Sequence, residues 1–221
     1  MKNILLSTLF VGSSLLVSAQ KKQLVQAATP PANYLQLVKD VTPQLTTWRR
    51  HFNENPELSN REFNTGKYIA SYMRSIGYEV KENVANTGVV AILKGGKPGP
   101  VVALRADIDA LPVTERNSLP FASKVVTEYN GQKVGVMHAC GHDAHTSILM
   151  GTATVLKKMQ ADVPGTVVFL FQPAEEGSPE GEEGGAPLMI KEGVLENPKV
   201  DVVFGMHIKT EVPVGEIQYK A

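Results

Sequence analysis

The densest group of reactive side chains is Val136-Met-His-Ala-Cys-Gly-His-Asp-Ala-His145, which holds the only cysteine of the chain and three of its five histidines. Cys140 and His142 stand one residue apart, with Asp143 and His145 following. Thiolate sulfur and neutral imidazole nitrogen are good ligands for borderline divalent cations such as Zn²⁺. Two ligands do not make a catalytic centre, however, and a lone cysteine is often just a small buried hydrophobe. A metal centre needs further donors, and three places downstream or upstream could supply them: Asp107 with Asp109, Glu175 with Glu176, and His207. Each has an ordinary alternative. Paired acids are commonly solvated, aspartates at strand ends serve turns, and a loop histidine is often satisfied locally. The Glu175–Glu176 pair follows an apolar run and Pro173, where two like charges need a cation or a proton. On an extended segment successive side chains point opposite ways, so one carboxylate can ligate while the other faces the reacting water.

What positions these groups is a set of apolar strands. Val101–Leu104, Val167–Phe171 and Asp201–Phe204 read as strands buried on both faces. The polar groups come just after them: Asp107 and Asp109, then Glu175 and Glu176, then His207. Tyr78–Val84 and Gly88–Leu93 read as further strands, with a turn at Gly95–Gly99. Helical spacing runs from Tyr34 to Asn53 with a kink expected at Pro43. It recurs from Phe63 to Ile76 after the start signal Ser59-Asn-Arg-Glu62, and from Asp143, an expected N-cap, with Ile148, Thr152, Val155, Leu156 and Met159 facing inward. Pro187–Glu192 is a short helix, and residues 114–135 form a surface excursion. This is an α/β fold with a largely parallel central sheet flanked by helices. Such sheets bind ligands at the carboxyl ends of their strands, so the scattered donors converge on one rim.

Twenty-two basic and 22 acidic residues leave no net charge, which gives no reason to expect nucleic acid or a membrane surface as a partner. A single cysteine excludes an internal disulfide framework. At the N-terminus Lys2, an apolar run from Ile4 to Val17, and Val17-Ser18-Ala19 read as a cleaved export signal over residues 1–19, shorter than the ~20 apolar residues of a spanning helix. A polar, then Ala/Pro-rich linker follows over 20–34, and the body is 35–221. The expected location is periplasmic or secreted. A free thiol oxidises there, so Cys140 is expected to be held by a metal or buried.

Five motifs together resemble the M20 metallopeptidases, in particular the amidohydrolase branch of hippurate hydrolases, bacterial N-acyl-amino-acid deacylases and plant auxin-conjugate hydrolases. They are Arg49-Arg-His-Phe-Asn-Glu-Asn-Pro-Glu-Leu58, Arg105-Ala-Asp-Ile-Asp-Ala-Leu-Pro112, His138-Ala-Cys-Gly-His-Asp143, Gln172-Pro-Ala-Glu-Glu-Gly177 and Gly205-Met-His207, in family order. The resemblance implies a zinc-exopeptidase-like catalytic domain, represented by its N-terminal portion. It implies Cys140, His142, Glu176 and His207 as metal ligands for two divalent ions (Zn, Mn or Co), Glu175 as general base and Asp109 as the supporting aspartate. Asp107 is a weaker candidate, and His138, Asp143 and His145 are supporting or structural. The implied reaction is metal-dependent hydrolysis of the amide of an N-acyl amino acid. The alternatives are an M20 dipeptidase- or carboxypeptidase-like peptidase, or a non-catalytic metal-binding remnant. Family members run to nearly twice this length and carry a lid domain, often the dimerisation surface, and a final ligand histidine. With these beyond Ala221, the chain alone is expected to hydrolyse weakly or not at all, to leave apolar sheet edges exposed, and to form a homodimer only if the lid is present.

Overall fold

Apolar strands with chemistry at their ends require a sheet that aligns those ends, and the computed structural model, which describes residues 33–219, contains one. The elements are α1 (Tyr34–Glu54), α2 (Phe63–Ser75), β1 (Glu79–Val84), β2 (Gly88–Lys94), β3 (Lys97–Asp107), β4 (Val126–Tyr129), β5 (Gln132–Gly135), α3 (His142–Lys158), β6 (Pro164–Gln172), α4 (Gly185–Lys191) and β7 (Val202–Gly205). The sheet order is β1-β2-β6-β3-β7. Strand β3 is parallel to β6 and β7, while β2 is antiparallel to both β1 and β6. Four strands therefore run one way and only β2 is reversed. The expected export signal (1–19) and most of the linker (20–34) lie outside the described residues; Asn33 and Tyr34 already begin α1.

Alternation along β6 divides the core. Val167, Phe169 and Phe171 face α1, α2 and α3, joining Trp48, Phe52, Ile69, Met73 and Met150. Val168 and Leu170 face the other way, against Val90, Ala103 and Met189 of α4. Burying each such side chain contributes about 1.5–3 kcal/mol. The layers thus follow from the period of two in an apolar strand covered on both sides.

Local expectations change in five places. Helix α1 runs through Pro43 without ending. Lys97–Gly99, expected in a turn, are already part of β3. The 114–135 excursion carries the β4–β5 hairpin. Helix α3 buries Leu149, Met150 and Ala153, while Ile148, Thr152 and Leu156 are half-buried, because α1 presses on it as well as the sheet: a Cβ at Gly151 would meet Leu45 at 2.5 Å. Strand β7, expected to be buried, is exposed along its length, with Val202, Val203 and Phe204 40–59 % accessible. It pairs with β3 on one edge, and no strand among the described residues pairs with the other.

Candidate metal centre

Register brings the strand ends together. Asp107 pairs with Gln172, and Arg105 pairs with both Leu170 and Gly205. The residues just beyond, Asp109, Glu175, Glu176 and His207, therefore lie at one rim of the sheet. A bridge between Leu111 and Met137, hydrogen-bonded in both directions, ties the 136–142 segment beside Asp109. Gly141 then turns the chain into α3 with φ +86°, and a Cβ there would stand 2.2 Å from Ile208 Cδ1. Glycine suits the left-handed backbone, and any side chain there would have to displace Ile208. Gly141 is the N-cap residue, so Asp143 is not the expected cap. It lies inside the first turn and accepts from Arg49 Nε at 2.9 Å. Ser59 of the expected start signal for α2 is likewise used elsewhere, donating to Asp109 Oδ2 at 2.8 Å. Glu57 instead receives the amides of Asn64 and Thr65 at the start of α2.

The candidate ligands form two overlapping groups. Cys140, His142 and His207 offer ligand atoms within 4.8 Å of one another, and so do His142, Glu175 and Glu176. His142 Nε2 lies 3.7 Å from Glu175 Oε2 and 3.8 Å from Glu176 Oε1, and Cys140 Sγ lies 3.3 Å from His207 Nε2. Glu175 and Glu176 do not point opposite ways. The segment is a turn, with Ala174 at φ +48°, which swings both carboxylates toward His142. A third group, Asp107, His142 and His145, is wholly buried. Asp107 is thus better placed than sequence reasoning ranks it, and His145 is a site neighbour that reasoning took as supporting. Their signal is Arg105, a charged residue inside an apolar strand, which pairs with Asp107 and donates to it at 2.9 Å.

Backbone carbonyls settle the tautomers. His142 Nδ1 faces Asp109 O at 2.9 Å, and His207 Nδ1 faces Ile208 O at 2.5 Å. A carbonyl only accepts, so both Nδ1 atoms carry a proton, and in the neutral ring the lone pair is on Nε2, on the side of the cluster. Asp109 Oδ1 also lies 3.2 Å from His142 Nδ1.

The electrostatics call for a cation. His142 Nε2 and Glu176 Oε1 are buried without a hydrogen-bond partner, and buried polar atoms left so need an explanation. Burial, then the charges of Glu176, Glu175 and Asp107, push the Cys140 thiol up to about 11. Burial pushes Asp107 up to about 6 against the pull of Arg105 and His142. Burial works against Asp109 as well, but bonds from His142, the Glu176 amide and Ser59 outweigh it and hold its carboxyl low. Burial depresses His145 to about 4, aided by His207 and His142, and His138 to about 3, aided by His142. A soft thiol, two available imidazole lone pairs and clustered carboxylates fit a divalent cation with nitrogen, sulfur and oxygen ligands.

Peptidase family M20/M25/M40 matches residues 103–221, more than half of the chain. The chain is 46% identical over 179 residues to thermostable carboxypeptidase 2 of Saccharolobus solfataricus, covering 80% of this chain and 42% of that one. It is 42% identical over 181 residues to the N-acyl-L-amino acid amidohydrolase of Geobacillus stearothermophilus, covering 82% and 45% respectively. The crystal structure of the Bacillus subtilis YXEP protein, described as a dinuclear metal binding peptidase from the M20 family, superposes with a TM-score of 0.69 at 44% identity, covering 80% of this chain and 45% of that one. The chain spans about two fifths of the length of the curated relatives it matches. A family match over more than half of the chain, with these identities, makes the chain a member of peptidase family M20/M25/M40.

Proposed function

We propose that this site hydrolyses the amide bond of N-acyl amino acids. The observation that carries the reading is the meeting of Cys140, His142, Glu176 and His207 at one rim, with Glu175 beside them and 36 % of its side chain exposed. In this reading Cys140, His142, Glu176 and His207 would hold two divalent cations, His142 offering the one lone pair on its Nε2. When bound, the cations supply Lewis acidity to the amide carbonyl and lower the pKa of water. Asp109 keeps the His142 proton on Nδ1, leaving Nε2 free as a donor atom. Arg105 holds Asp107 against the inner side of the cluster. Glu175, the more exposed carboxylate, takes a proton from the attacking water and returns it to the departing nitrogen, so that water and amide become acid and free amino acid.

A second reading, a carboxypeptidase-like activity, is favoured by the similarity to the Saccharolobus solfataricus carboxypeptidase. Purified protein loaded with Mn²⁺, Zn²⁺ or Co²⁺ and offered N-acetyl and N-benzoyl amino acids beside short peptides separates the two. Glu175→Gln is expected to keep its metal content and to lower any metal-dependent turnover by about 10²–10⁴-fold. Undiminished turnover removes Glu175 as base, and protein that binds no metal by elemental analysis removes the centre itself.

A further inference from the structure

Glu62 has no surface exposure. Sequence reasoning gives it only a place in a helix-start signal, and the mechanism above does not use it. Its Oε1 accepts from the Ala174 amide at 2.8 Å, and its Oε2 accepts from Thr87 Oγ1 at 2.5 Å. Three segments distant in sequence thus meet on one carboxyl: the start of α2, the turn between β1 and β2, and the turn that follows β6. Close packing holds them there. A Cβ at Gly66 would stand 2.4 Å from Thr87 O, and a Cβ at Gly88 would stand 2.7 Å from Pro173 Cδ.

The turn after β6 is the segment that aims Glu175 and Glu176. Ala174 occupies the left-handed region at φ +48°, which is costly for a residue with a Cβ and persists only where neighbours impose it. Two buried carboxyl groups impose it here. Glu62 grips the Ala174 amide from the α2 side, and Asp109 accepts from the Glu176 amide at 3.0 Å from the β3 side. The intervening residue is Glu175. We propose that Glu62 is a positioning residue for this site: by holding the Ala174 amide it fixes the turn from which Glu175 and Glu176 reach toward His142. Its consequence for catalysis rests on the proposed roles of those two glutamates; its geometry does not.

Amide hydrogen exchange on the purified chain tests the positioning directly. Glu62→Ala is expected to speed exchange at Ala174 and Glu176 by about tenfold or more relative to amides in the middle of β6. Glu62→Gln, whose carbonyl oxygen still accepts from Ala174, is expected to keep the wild-type ratio between these amides and those in the middle of β6. Unchanged exchange at 174–176, or the same acceleration everywhere, overturns the proposal and leaves Glu62 a general stabiliser. If Glu62→Ala does not fold, Thr87→Val frees the same carboxyl from its other side and takes its place with the same two outcomes. Titration with Co²⁺, followed by visible absorption, provides the second arm. Glu62→Ala is expected to weaken Co²⁺ binding about 10–100-fold with Glu62→Gln near wild type, and equal affinities in all three overturn the proposal. A wild-type chain that takes up no Co²⁺ refutes the metal reading instead, and the exchange result then decides on Glu62 alone.

Discussion

Replacing Glu62 by glutamine is expected to stabilise the protein increasingly as pH rises. Burial, with a smaller push from Asp109, raises the Glu62 carboxyl from 4.5 to about 7, although the Thr87 hydroxyl and the Ala174 amide pull it the other way. Between these two values the native state keeps a proton that the unfolded chain has released. The stability supplied by the protonated carboxyl is therefore complete below about 4.5 and is lost as pH climbs through about 7. The shift is about 2.5 pH units, and at 1.36 kcal/mol per unit it amounts to about 3 kcal/mol. Glutamine has nearly the shape of the protonated acid, accepts from Ala174 through oxygen and donates to Thr87 through nitrogen, and does not titrate.

Urea unfolding of both proteins across this range reads the difference. The variant and wild type are expected to match at the acid end. The variant's advantage then grows to about 3 kcal/mol near pH 7 and stays constant above. Titration of Asp107 and Asp143 occurs in both proteins and cancels in the difference. An advantage that does not change with pH would refute the reasoning, because it would mean that Glu62 ionises in the folded protein as easily as in the unfolded chain.

In chelator-treated protein, alkylation of Cys140 is expected to accelerate about tenfold per pH unit well past pH 9, since burial and the neighbouring carboxylates push its thiol up to about 11; a plateau at the ordinary thiol value would show that neither acts on it. Arg49→Ala leaves the Asp143 carboxylate, with 2 % of its side chain exposed, without its 2.9 Å partner. Because Arg49 itself is 46 % exposed, the cost is expected at about 1–3 kcal/mol by urea unfolding. Val203→Lys places a charge on the exposed β7 edge strand and is expected to reduce self-association in sedimentation experiments, whereas an unchanged distribution would show that this edge does not drive it.

Much of the architecture was legible because it is carried by local pattern. The apolar runs at 101–104 and 167–171 are strands as expected, the second buried on both faces and the first half-buried except at Ala103. The same reasoning failed for 202–204, where the run is equally apolar but lies on an open edge. Composition encodes what a strand would bury, and only its neighbours determine whether it does. The donors were legible too, as residue types following strands. Their convergence needed the parallel pairing of β3 with β6 and β7, which sets Asp109, Glu175, Glu176 and His207 at the same rim.

Tertiary structure alone decided the finer arrangement. Sequence spacing placed Glu175 and Glu176 on opposite sides of an extended segment; the left-handed backbone at Ala174 turned both toward His142. The tertiary fold also set that Nδ1 bears a proton in His142 and in His207, through the Asp109 and Ile208 carbonyls. Glu62 had no signature beyond a helix start, because its role depends on segments 25 and 112 residues away in the chain. Hydrophobic periodicity is a local property written along the chain, whereas a buried carboxyl acquires its partners, and its pKa, only when distant segments close around it.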